Sequence, residues 1–114
     1  MTINEYQTNA MKFASGMNHQ NVNELLVNGV MGMCGESGEC IDMVKKANFQ
    51  GHDFDEQHFA KELGDVAWYL AVSAYAIGYD LETVFQMNID KLTARYPEGK
   101  FSVDRSLHRK DGDI

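Results

Sequence analysis

MGMCGESGEC, residues 31–40, places glycine at positions 32, 35 and 38, and Gly29 extends the series upstream. The flanking residues read as helix, yet each interior glycine costs a helix about 1 kcal/mol relative to alanine. Two glutamates, Glu36 and Glu39, stand among them. On a helical wheel Val27, Val30, Cys34, Ile41 and Val44 gather on one side and read as the core stripe. Glu36 and Glu39 lie nearly opposite, together with Gly29, Gly32, Met33 and Met43. Small residues one to two turns before the glutamates let another helix or a flat ligand approach the backbone. Gly35 and Gly38 point elsewhere.

Outward from this stretch, helical periods dominate and no segment shows strong strand alternation. Thr2 and Glu5 form a capping box for a first helix that ends near Ser15 and carries Ile3, Tyr6, Ala10, Phe13 and Ala14 on one stripe. Asn21 and Glu24 open the long second helix, expected to run to about Ala47. Asp53 and Glu56 cap a third, expected over 55–77, with Gly78 as its C′ residue. Asp80 caps a fourth, which Pro97 ends. Residues 98–114 read as a polar, loosely ordered tail. The expectation is a single all-α domain over 1–114, a four-helix bundle-like subunit.

The chain has 114 residues, 44% of them apolar, enough for one core. A chain of this size buries only about two thirds of its unfolded surface, so an oligomer interface would add stability. Its net charge of −7 argues against nucleic-acid binding, which needs a basic face. Apolar runs fall far short of the roughly 20 residues that span a bilayer, and MTINEYQTNA has no basic start and no apolar signal region. Cys34 and Cys40, six apart in a helix, diverge by about 120° and read as two reduced thiols. These features fit a cytoplasmic protein without a membrane or nucleic-acid partner.

The third helix repeats the arrangement of the second. Phe59, Leu63, Val66, Leu70 and Ile77 form its apolar stripe, and Glu62 and Asp65 project to the other side with His58 and Tyr69. Carboxylates at i and i+3 stand about one turn apart and reach one ion. Oxygen-only donors suit a hard divalent cation such as Mg²⁺, which keeps some waters and bridges to phosphates. Di-iron bundles use Glu-x-x-His, a pattern absent here. The fourth helix has Phe85, Ile89, Leu92 and Tyr96 as core positions and sets Asn88, Lys91 and Arg95 on a separate stripe suited to polyphosphate oxygens. Lys45 and Lys46 close the second helix, where they complement its dipole.

Taken together, ESGE (Glu36, Glu39), ELGD (Glu62, Asp65) and the downstream Asn88, Lys91, Arg95, Tyr96 and Pro97 resemble the MazG-like nucleotide pyrophosphohydrolases of the all-α NTP pyrophosphatase superfamily. The resemblance covers roughly residues 21–101. It implies Mg²⁺-dependent hydrolysis of a nucleoside triphosphate to the monophosphate and pyrophosphate, with Mn²⁺ as a possible substitute, in a homodimer or homotetramer. On that reading Glu36, Glu39, Glu62 and Asp65 hold the metal and Glu36 activates the attacking water. Lys91, Arg95 and Lys46 meet phosphates, and Asn88 meets phosphate or sugar. Trp68, Met31 and Met33 are candidate base neighbours, and His58 a candidate brace for a metal ligand. Gly29 and Gly32 are expected to keep space open for the base or sugar. The alternatives are a phosphoribosyl-ATP pyrophosphohydrolase-like enzyme and a non-catalytic helical module that binds nucleotide or a partner protein.

Overall fold

A computed structural model describes residues 1–17 and 21–113, and every regular element among them is a helix. These are α1 (Ile3–Ala14), α2 (Val22–Phe49), α3 (Glu56–Ala76), α4 (Leu81–Arg95) and α5 (Val103–Leu107). The chain forms two compact units, Met1–Leu81 and Glu82–Ile114. Among the described residues no helix is long and apolar enough to cross a membrane.

The helix boundaries follow from local chemistry. At α1 the capping box is complete: Thr2 Oγ1 accepts from the Glu5 amide at 3.1 Å, and the Thr2 amide donates to Glu5 Oε2 at 2.7 Å. Asn21 caps α2 by accepting from the Glu24 amide at 3.0 Å. The cap of α3 is Asp55 rather than Asp53, and it accepts from the His58 amide at 3.0 Å. The Phe54 and Phe59 rings, 5.2 Å apart, explain the choice, because they flank Asp55 as a hydrophobic staple. At the other end Gly78 takes φ +80°, its amide donates to the Tyr75 carbonyl, and the Tyr79 amide donates to the Ala74 carbonyl. That is a Schellman termination, as the position of Gly78 foretold.

In the first unit α2 packs along α3, and α1 packs against α3. The buried apolar residues are mostly small: Ala10, Ala14, Leu25, Ala71, Val72, Ala74, Ala76 and Leu81. Smallness, not apolarity, decides which face of α2 turns inward. Leu25 and Gly29 are buried, whereas Val27, Val30 and Ile41 are 47, 42 and 63% exposed. The wheel therefore assigned the inner face of α2 wrongly. The expected core stripe lies on the outside of this subunit, and the glycine and carboxylate face meets α3. A Cβ on Gly29 would stand 2.6 Å from Ser73 Oγ and 3.2 Å from the Ser73 backbone nitrogen, and one on Gly32 would overlap the Tyr69 ring. Both glycines are filled by α3, so the expected opening for a base or sugar at these positions does not exist. The same inversion affects other stripes. Phe13 on α1 and Leu63 and Ile77 on α3 are exposed, as are Phe85, Ile89 and Leu92 on α4. Gln7, Ala10 and Ala14 face inward on α1.

Gln7 is the one buried polar residue among those described. Its Nε2 donates to the carbonyls of Ala71 at 3.3 Å and Tyr79 at 3.2 Å, and its Oε1 accepts from the Leu81 amide at 2.9 Å. One amide thus ties α1 to the corner where α3 ends, and it supplies a partner for the first amide of α4. In the second unit, residues 98–113 are not the loose tail expected. Ser102 caps α5, Tyr96 and Phe101 stack at 5.5 Å, and Asp113 pairs with Arg95. The order comes from a cap, a ring pair and a charge pair, which a polar composition does not reveal.

Candidate functional site

Glu36 stands near the middle of α2, and Glu62 and Asp65 stand one turn apart on α3. Close approach of the two backbones at Gly29 and Gly32 brings these three side chains together. One carboxylate oxygen from each lies within 4.8 Å of the others. Three oxygen donors converging from two helices fit a hard divalent cation, and nothing in the donor set favours a soft one. Partial desolvation, then the charges of Asp65, Glu62 and Glu39, raise the Glu36 carboxyl above its ordinary value. Glu39, one turn further along α2, is exposed and stands outside the three-carboxylate group.

Two neighbours brace the cluster. His58 Nε2 lies 2.9 Å from Glu62 Oε1, one turn before it on α3, so the expected role of this histidine beside a ligand has a geometric basis. Tyr6 reaches the site from α1. Burial raises its hydroxyl pKa, and the negative charge of Asp65 raises it further, so it stays a neutral donor near that carboxylate. Tyr6 was placed on the first helix's apolar stripe. The sequence holds no signal for its position beside Asp65, because that depends on how α1 seats on α3.

The other expected site residues fall in several settings. Lys46 is ion-paired with Asp42 at 2.6 Å, and Lys45 reaches the same carboxylate at 3.0 Å. The hydrogen bonds from Lys46 and then Lys45 hold Asp42 below the usual carboxylate range. Trp68 is taken up by packing. Its indole N–H donates to the Ala10 carbonyl at 3.1 Å, and its ring meets Tyr69 edge-on at 5.0 Å and rests against the Ala14–Leu25–Val72–Ala76 cluster. Met31 is 70% exposed, and Met33 is half-buried. In the second unit Asn88 and Lys91 are exposed on α4. Arg95 is held in a two-pronged pair, its Nε 2.8 Å and its Nη2 2.6 Å from the two oxygens of Asp113. Asp113 lies 18 residues beyond its partner, outside any helical period that would have linked them. Both cysteines are free, as their divergence on the helix required.

Residues 28–100 match the family model of the MazG nucleotide pyrophosphohydrolase domain. The chain is also similar to the Gene 37 protein of Mycobacterium phage L5, with 40% identity over 73 residues, 60% of this chain and 64% of that protein. The match thus spans slightly less than two thirds of the relative's length. No solved structure matches the chain.

Proposed function

The chain belongs to the MazG nucleotide pyrophosphohydrolase family, and we propose that it hydrolyses a nucleoside triphosphate to the monophosphate and pyrophosphate with the help of Mg²⁺ or Mn²⁺. The observation that carries this reading is the convergence of Glu36, Glu62 and Asp65 from α2 and α3. These three would hold the cation, with Glu39 joining them from the next turn. A cation bound there would offset phosphate charge and lower the pKa of a nearby water.

The protein's own groups carry the remaining work. Glu36 is the candidate base, because desolvation and its acidic neighbours make it the readiest of the group to accept a proton near neutrality. It takes a proton from the attacking water. The water oxygen bonds to the α-phosphorus, the bond from that phosphorus to the α–β bridging oxygen breaks, and pyrophosphate leaves in line. His58 holds Glu62 in orientation, and Tyr6 donates toward Asp65. Lys46, Asn88, Lys91 and Arg95 are the proposed ligands for phosphate and sugar oxygens. A second copy of the chain is the proposed cover for the outward stripe of Val27, Val30 and Ile41, because the subunit's own core consists largely of alanines.

The test is pyrophosphate release from a panel of ribo- and deoxyribonucleoside triphosphates and phosphoribosyl-ATP, with and without chelator. Release from a nucleoside triphosphate that stops when metal is removed supports the reading. Preference for phosphoribosyl-ATP moves the assignment to that enzyme class, and binding without turnover moves it to a non-catalytic module.

A further inference from the structure

The second unit contains a cavity of about 380 Å³ whose walls include Lys91, Arg95, Arg105, Arg109 and Lys110. Five cations around one hollow are unexpected in a chain of net charge −7. Two carboxylates, Asp111 and Asp113, also line it. Arg105 is already engaged by Glu98 at 2.9 Å. Asp113 occupies the fork of Arg95 with both oxygens, and the two side chains are only 10 and 15% exposed. A guanidinium fork accepts a carboxylate and a phosphate in the same planar, two-pronged geometry.

A turn aims Asp113 at the fork. The Asp113 amide donates to the Lys110 carbonyl at 3.1 Å, and between them Gly112 takes φ +85°. A β-turn with positive φ at its third residue favours glycine there. We propose that this cavity binds a small polyphosphate anion and that Asp113 is its resident occupant, an internal carboxylate that the anion must displace from Arg95. The inference rests on the reading of Arg95 as a phosphate ligand and adds a regulatory contact to it. Arg95 chiefly, then Arg109 and Lys91, hold the Asp113 carboxyl below its usual range, in keeping with a carboxylate surrounded by the same cations that would receive a phosphate.

The experiment is calorimetric titration of the full chain with inorganic pyrophosphate, in chelator and without nucleotide, so that neither metal nor turnover contributes. Asp113→Asn keeps the shape and removes the charge. It should bind pyrophosphate about three- to tenfold more tightly than the native chain, the range expected for removing one partly exposed charged competitor. Gly112→Ala, which strains the turn and leaves every charge in place, should shift affinity in the same direction. Arg95→Lys in the Asp113→Asn background should lose most of the gain, because an ammonium cannot offer the fork. Unchanged affinity in Asp113→Asn, or a gain that survives Arg95→Lys, overturns the proposal. A chain that binds pyrophosphate more tightly on Asp113→Asn but hydrolyses no nucleotide supports this site and refutes the hydrolase reading. An active enzyme whose pyrophosphate affinity ignores Asp113 refutes the internal competitor alone.

Discussion

Gly32→Ala sets two opposite effects against each other. Helix propensity alone favours alanine by about 1 kcal/mol. The new Cβ, however, falls within the Tyr69 ring, well inside the ~3.5 Å at which carbon atoms rest against one another. Overpacking of this kind costs about 1–3 kcal/mol. Tyr69 has little freedom to retreat, because its ring stands edge-on to Trp68 at 5.0 Å, a contact worth about 0.5–1.5 kcal/mol, and Trp68 is pinned to Ala10. The net effect is a loss of about 1–3 kcal/mol. For a chain of this length that corresponds to a fall in Tm of about 4–12 °C. Gly38→Ala is the control: nothing stands within 4 Å of its Cβ, so propensity acts unopposed and Tm should rise by about 2–4 °C. Both are read by thermal circular dichroism. In a double-mutant cycle, Tyr69→Leu should recover part of the Gly32→Ala loss, with a coupling of about 1 kcal/mol. A Gly32→Ala chain at least as stable as the native one would refute the close-packing account.

Glu62→Gln and Asp65→Asn should each lower turnover by at least about a hundredfold while leaving the far-ultraviolet spectrum intact, and full activity in both would end the metal-site reading. Glu39→Gln should weaken Mg²⁺ affinity if that side chain joins as the fourth ligand, measured as the metal concentration for half-maximal rate. Hydrolysis in ¹⁸O water should label the monophosphate, whereas label in free orthophosphate would contradict attack at the α-phosphorus. Asp113 has a folded pKa depressed by Arg95, so its contribution is fully present above the unfolded value of about 3.9 and is lost as pH falls through the lower folded value. Amide exchange at Gly112 and Asp113 should therefore accelerate only in acid below about pH 4, and an ordinary carboxylate titration of Asp113 would contradict the pairing. Light scattering should find a dimer or tetramer, and a fully active monomer at micromolar concentration would leave the outward valine and isoleucine stripe without a purpose.

The features legible in the sequence were those fixed by neighbours in the chain. Thr2 with Glu5, Asn21 and Gly78 announce helix ends because a cap is a contact between residues two to five apart. Glu36, Glu62 and Asp65 were legible as a set because the i, i+3 spacing on α3 and the helical wheel of α2 fix their faces. The orientation of those faces was not legible. A wheel ranks residues by apolarity, whereas α2 and α3 approach through Gly29, Gly32 and Ser73, which score low on that scale. Tyr6 beside Asp65 and Asp113 on Arg95 depend on contacts between distant segments, for which hydrophobic period carries no information.

The Gln7 amide has a consequence for the order in which the chain assembles. α2 and α3 are consecutive and joined by a short turn, so their pairing closes a small loop and is expected early. Gln7 bonds to Ala71, Tyr79 and Leu81, and Ala10 to Trp68, across 58 to 74 residues. During synthesis α1 emerges first yet has no site to dock on until residue 81 has been made. Its buried amide must stay hydrated through that interval, so the segment made first is expected to be the last to find its place.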